Sequence, residues 1–151
     1  MTTDLLTHIS FNTIFCVWRF NLWPDRHSTI EQTSAMNYLG GNDLRNMKYN
    51  PTFFGYYIND KLIGVNSGHM TMDNKYRSRG LYVFPEHRGK GIGIELLLAT
   101  IKQGKTEDAK LCWSFPRQES VNTYLSAGFT LSSDFTTSET GINAYCIKKY
   151  F

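Results

Sequence analysis

A chain of 151 residues suits one domain, and 1–151 is read as a single unit. With 41% hydrophobic and 19% charged residues it reads as an ordinary globular protein. A net charge of +3 is too mild for a nucleic-acid surface, and three scattered cysteines (Cys16, Cys112, Cys146) fit neither a metal site nor a disulfide framework.

The start, Met-Thr-Thr-Asp, has no basic n-region of a signal peptide. The apolar stretch from Ile9 to Trp23 is broken by Ser10, Asn12, Arg19 and Asn21, and is too short and polar to span a bilayer. The expectation is a soluble cytoplasmic protein with no membrane partner. Ile14, Val17 and Trp18 recur at helical spacing, with Ser10 as N-cap and Pro24 as stop, so a helix is predicted over Phe11–Leu22. Pro24–Met36 is polar and reads as a loop. Ala35–Leu39 is a short strand or helical turn, broken by Gly40-Gly41-Asn42-Asp43.

A three-strand antiparallel meander follows. Its strands are Thr52–Asn59, Lys61–Met70 and Tyr76–Phe84, with turns at Asn59-Asp60 and Asp73-Asn74. A helix with a wide apolar face runs over Gly91–Gly104, and Leu111–Phe115 is a strand parallel to the one before that helix. Gln118–Ala127 is a short helix ended by Gly128. Phe129–Ser132 and Ala144–Tyr150 are closing strands around a polar loop, Ser133–Gly141.

The chemistry concentrates between Gly80 and Ile101. Leu81–Phe84 is β-prone, Pro85 ends the strand, and Gly89, Gly91 and Gly93 alternate with other residues before the helix. Free N–H groups at the helix start, with Arg88 and Lys90, make a site for a phosphorylated ligand. A Walker A loop fails, because Phe84 and Gly91 stand where glycine and Ser or Thr are needed. A dinucleotide fingerprint fails at Ile94. The motif present is Arg-x-x-Gly-x-Gly (Arg88, Gly91, Gly93) after a Leu-x-Val strand. A plain surface turn would show the glycines without the strand, proline and apolar helix around them.

This stretch resembles the acyl-coenzyme A loop of the GNAT superfamily of N-acetyltransferases. Tyr124-Leu125-Ser126-Ala127-Gly128-Phe129 is similar to that family's Tyr-x-x-x-Gly-Phe signature. The likeness covers about Thr52–Phe129. It implies a mixed α/β (α+β) fold with a mostly antiparallel central sheet and helices on both faces. It also implies acetyl-coenzyme A as donor, held by Leu81, Tyr82, Val83, Arg88, Gly89, Lys90, Gly91, Ile92, Gly93 and Tyr124. In the family a strand N–H, here near Tyr82, polarises the thioester carbonyl, and Tyr124 protonates the leaving sulfur. Two strands splay apart to admit the thioester arm.

The sequence departs from the family in two places. Seven residues before Tyr124, where many members have asparagine, stands Arg117. Eleven residues before Arg88, where several have a basic glutamate, stands Arg77, which cannot act as a base. Glu86, Glu119, His69 and water remain as bases, and none is assigned. Arg77 and Arg79 share a strand face. That face is solvated or, where it meets the cleft, binds an anion on the acceptor. Trp18 and His69 are further acceptor-side candidates, each with a structural reading beside it. The tryptophan-bearing segments, Trp113–Arg117 and the Trp18/Trp23 helix, give the chain the character of a phage-encoded member.

The implied activity is N-acetyl transfer to a primary amine on a small molecule or peptide, by a monomer or homodimer without a metal. The alternative is a non-catalytic acyl-coenzyme A-binding module of the same fold.

Overall fold

The computed structural model describes residues 3–139 and 141–150; residue 140, within the expected polar loop, lies outside it. The chain opens with β1 (Asp4–His8), a strand not foreseen from sequence, paired antiparallel to the next strand. Most of its side chains face solvent, so no hydrophobic alternation marks it.

α1 (Phe11–Val17) begins where predicted, with the Ser10 hydroxyl accepting from the Thr13 N–H at 3.2 Å. It does not continue in α form to Leu22. Trp18–Leu22 form a π-helical turn, closed by the Trp23 N–H donating to the Trp18 carbonyl at 2.7 Å. The short segment near Ala35 is a tight return, with the Asn37 N–H donating to the Gly41 carbonyl at 2.9 Å.

The meander is as expected: β2 (Thr52–Ile58), β3 (Lys61–Thr71) and β4 (Lys75–Val83) pair antiparallel in sequence. Both turns use left-handed Asn and Asp residues. α2 (Ile92–Thr106) crosses back to β5 (Leu111–Ser114), which lies parallel to β4. Then come α3 (Val121–Ser126), β6 (Thr130–Leu131), β7 (Thr136–Ser138), β8 (Gly141–Asn143) and β9 (Cys146–Lys149). β7 and β8 form a small hairpin where a loop was expected. The main sheet runs β1-β2-β3-β4-β5-β9-β6, and among the described residues only the β4–β5 pair of this sheet is parallel.

The sheet is covered on both faces. Ile14 and Trp18 pack with Phe53 and Val65 on one face. On the other, Leu96 packs with Phe54, Tyr56 and Ile63, and Leu97 with Tyr76, Cys112 and Phe129. Each such side chain contributes about 1.5–3 kcal/mol by leaving water, which makes these contacts the main anchor of both helices. No helix among the described residues is long and apolar enough to cross a membrane.

Two irregularities open the sheet. β4 and β5 pair only at Lys75–Leu111, Tyr76–Cys112 and Arg77–Trp113, after which they separate. The last tie is the Ser114 hydroxyl, which donates to the Ser78 carbonyl at 2.6 Å. Just beyond, β4 carries an extra residue: Ser67 faces Arg79 and Val65 faces Tyr82, so Gly80 and Leu81 together oppose Asn66. Gly80 takes φ 79° there, and its carbonyl accepts from Trp18 Nε1 at 2.8 Å.

Candidate active site

The separation of β4 from β5 leaves a cleft of about 780 Å³ that passes through the sheet. Ile92, Gly93, Thr123 and Tyr124 line it beside α2 and α3; Trp23, Arg26, Arg77 and Arg79 line it beside α1.

At one end lies the glycine turn. Pro85–His87 form a single 3₁₀ turn after the strand. Arg88 folds back, donating from Nε to the Val83 carbonyl at 2.7 Å with its guanidinium 5.2 Å from the Tyr82 ring centre. Gly91 has φ 83° and nothing within 4 Å of where a Cβ would sit. No side chain caps α2, and Gly91 accepts its bond from Glu95. The first-turn N–H groups after Gly91 are therefore left without a side-chain partner at the positive end of a 15-residue helix. This turn fits an anionic phosphate group.

The strand edge follows. Phe84 N–H donates to the Ile63 carbonyl at 2.9 Å, toward β3. Alternation along an antiparallel pair turns the Tyr82 N–H the same way, opposite Val65. The donors on the open edge are those of Leu81 and Val83. Both flank Tyr82, near which the backbone donor is expected; the Tyr82 ring lies edge-on to Phe84 under Arg88.

Tyr124 sits beside this edge, 3% exposed. Its hydroxyl is 3.2 Å from Ser114 Oγ. Ser114 Oγ shares its one proton between the Ser78 carbonyl and, at the longer distance, the phenol oxygen of Tyr124. Burial pushes the Tyr124 phenol up to about 12, so it holds its proton throughout the neutral range.

On the α1 side the cleft gathers arginines, and Glu139 of the β7–β8 rim acts on Arg26. Arg79 is 4% exposed, donates from Nη1 to the Glu31 carbonyl at 2.8 Å, and lies over the rings of Trp18 (4.8 Å) and Trp23 (5.3 Å). Arg77 lies over Trp113 at 5.1 Å, and its buried Nε has no hydrogen-bond partner. Arg26 lies over Trp23 at 4.8 Å. Burial pulls Arg77 down to about 10, and burial together with Arg77 pulls Arg79 well below its usual value.

Two acceptor-side candidates fall elsewhere. Trp18 is fully buried in the core and bonded to Gly80, where it supports the cleft from behind. His69 is also fully buried. Its Nδ1 donates to the Met70 carbonyl at 2.9 Å and its Nε2 accepts from the Ser34 N–H at 3.3 Å. Burial lowers it to about 3, so it is neutral with both nitrogens occupied and is unavailable as a base. Arg117 lines the cleft but donates to the Leu22 carbonyl, tying β5's end to the first helix.

A family model for the acetyltransferase (GNAT) family matches residues 13–129. The chain belongs to this family. Solved GNAT-fold structures superpose along its whole length. They include a GNAT-family acetyltransferase of Staphylococcus aureus (10% identity, TM-score 0.67, covering 99% of this chain and 100% of that one). The PaiA N-acetyltransferase of Thermoplasma acidophilum, solved with coenzyme A, gives 17%, 0.65, 98% and 99%. A Bacillus subtilis acetyltransferase, also solved with coenzyme A, gives 11%, 0.64, 100% and 100%. The sequence matches no curated protein. At such identities the likeness speaks for the GNAT fold, and the acyltransferase class comes from the family.

Sequence reasoning missed Ser114, Arg26 and the β7–β8 rim, whose Ser138 and Glu139 also line the cleft. Ser114 is legible only as the last residue of a short strand. Glu139 reaches Arg26 and Ser28 across more than a hundred residues, with no local signal.

Proposed function

We propose that residues 1–151 act as one unit that transfers an acetyl group from acetyl-coenzyme A to a primary amine, by direct attack in a ternary complex. The observation that carries this reading is the free edge of β4, which leaves β5 after Arg77 and runs straight into an uncapped glycine turn. The turn Gly89–Gly93, with Arg88 and Lys90, takes the phosphates, and Leu81 and Val83 pair with the amides of the donor's arm. The Leu81 N–H, beside the Gly80 bulge, polarises the thioester carbonyl. The amine nitrogen bonds to that carbon, the carbon–sulfur bond breaks, and Tyr124 gives its proton to sulfur and regains one from solvent. The proton lost by the amine goes to water, since Arg77 fills the usual base position and His69 is locked. The setting is the cytoplasm, where an exposed free thiol such as Cys16 stays reduced.

Replacement of the strand glutamate by Arg77 favours a second reading, a coenzyme A-binding module without turnover. The placement of Tyr124 against the open edge argues for catalysis. A thiol-release assay with acetyl-coenzyme A and a panel of primary amines decides. Release with at least one amine is expected; coenzyme A binding with no release on any amine leaves the module.

A further inference from the structure

The α1 side of the cleft poses an electrostatic question that donor binding does not answer. Four guanidiniums, those of Arg26, Arg77, Arg79 and Arg117, are gathered there; Glu139 acts on Arg26, and Arg117 donates to the Leu22 carbonyl. Among the described residues the ion pair within 4 Å is Arg45–Asp43, at the surface and away from this cluster. Buried cations normally sit against carboxylates. Here aromatic faces take that place: Trp113 under Arg77, Trp18 and Trp23 about Arg79. A ring face attracts a cation without using its N–H donors. The edges of the guanidiniums therefore stay available. Arg79 spends Nη1 on the Glu31 carbonyl, whereas the Nε of Arg77 has no hydrogen-bond partner among the described residues. Arg77 thus keeps an unused donor at Nε on a planar guanidinium that lines the same cleft as Tyr124, at the point where β4 and β5 part.

We propose that the acceptor amine carries a carboxylate, and that Arg77 holds it in the α1-side mouth of the cleft, with Arg79 reinforcing the positive field. This rests on the acyl-transfer reading above. The donor's phosphates are accounted for by the glycine turn at the other end, so a second anion site serves the other substrate. A planar two-oxygen group matches one exposed edge of a stacked guanidinium. The same cluster repels polycationic acceptors.

The test uses matched amines: amino acids such as L-phenylalanine and L-glutamate, their carboxamides, the corresponding amines without a carboxyl group, phosphoethanolamine and spermidine. Thiol release should favour a carboxylate-bearing amine over its amide at least tenfold in kcat/KM. Arg77→Gln should raise the KM for that amine at least tenfold and erase the preference, with the affinity for coenzyme A unchanged. Arg77→Lys should recover part of it. Equal rates for acid and amide, exclusive use of phosphoethanolamine or spermidine, or an unchanged KM in Arg77→Gln overturns the proposal. So does a preference for succinyl-coenzyme A with uncharged amines, which places the carboxylate on the donor.

Absence of release with every amine counts against acyl transfer, and binding then decides the carboxylate site separately. Calorimetry with coenzyme A present should show 3-phenylpropionate and glutarate binding at least tenfold tighter than their amides to wild type, and equally weakly to Arg77→Gln. No difference between acid and amide in wild type refutes the site.

Discussion

The indole of Trp18 and the backbone of Gly80 occupy each other's only available space. Nε1 donates to the Gly80 carbonyl at 2.8 Å, and a Cβ on Gly80 would overlap the same indole nitrogen. The φ of 79° independently demands glycine. Gly80→Ala combines a left-handed alanine with a collision against a fully buried ring. A loss of roughly 2–4 kcal/mol is expected in urea unfolding. Trp18→Phe removes the donor and leaves a gap, for a loss of roughly 2–3 kcal/mol. Both should depress turnover, because the bulge sets where Leu81 points.

Tyr124→Phe separates chemistry from binding. The hydroxyl meets Ser114, a side chain already satisfied by Ser78, so little else depends on it. The kcat should fall about 100-fold, while KM for acetyl-coenzyme A stays within about twofold. Thermal unfolding should move by only a few degrees. An unchanged kcat removes Tyr124 from the proton path.

Gly91→Ala tests the glycine turn. Space for the methyl group is open, so the penalty is conformational, about 1 kcal/mol from φ 83°. A turn that relaxes to a negative φ redirects the first N–H groups of α2. Coenzyme A affinity, by calorimetry, should weaken about tenfold, far more than stability. Equal binding in the variant shows that these N–H groups do not hold the phosphates.

His69 makes stability pH-dependent. Its folded value, lowered to about 3, lies below the unfolded value near 6.5. The unfolded chain binds the extra proton between these values, so the stability from burying neutral His69 is full above pH 6.5 and is lost as pH falls toward 3. The slope approaches about 1.4 kcal/mol per pH unit. Urea titrations from pH 7 to 4.5 should show this, and His69→Gln should flatten it. Parallel curves for the two proteins assign the acid sensitivity to other groups.

The parts read correctly from sequence were those encoded within a few neighbouring residues. The Asn59-Asp60 and Asp73-Asn74 turns, Ser10 as N-cap and the run from Leu81 through Gly93 each carry their signal locally. β1 escaped because an edge strand with both Leu5 and Thr7 near solvent has no alternation to read. The same-face relation of Arg77 and Arg79 was legible, but their surroundings were not. Trp113 and Trp23 come to them from opposite ends of the chain. His69 looked like a titratable group on a strand, and became a buried neutral one through Ser34, 35 residues away. Which N–H near Tyr82 meets β3 was not legible, because the extra residue in β4 sets it and Gly80 alone does not announce a bulge.

The π-helical turn after α1 has a consequence for how this cleft can diverge. Such a turn holds one residue more than an α turn of the same rise. That surplus residue rotates Trp23 about the helix axis until it stands with Trp18 around Arg79. Phe20, 70% exposed within the turn, carries none of these contacts. Wound as an α-helix, the same residues would carry Trp23 roughly 100° farther round the axis and off Arg79, leaving the donor half of the cleft untouched. The station of Trp23 beside Trp18 and Arg79 is thereby set by helix winding in this one turn.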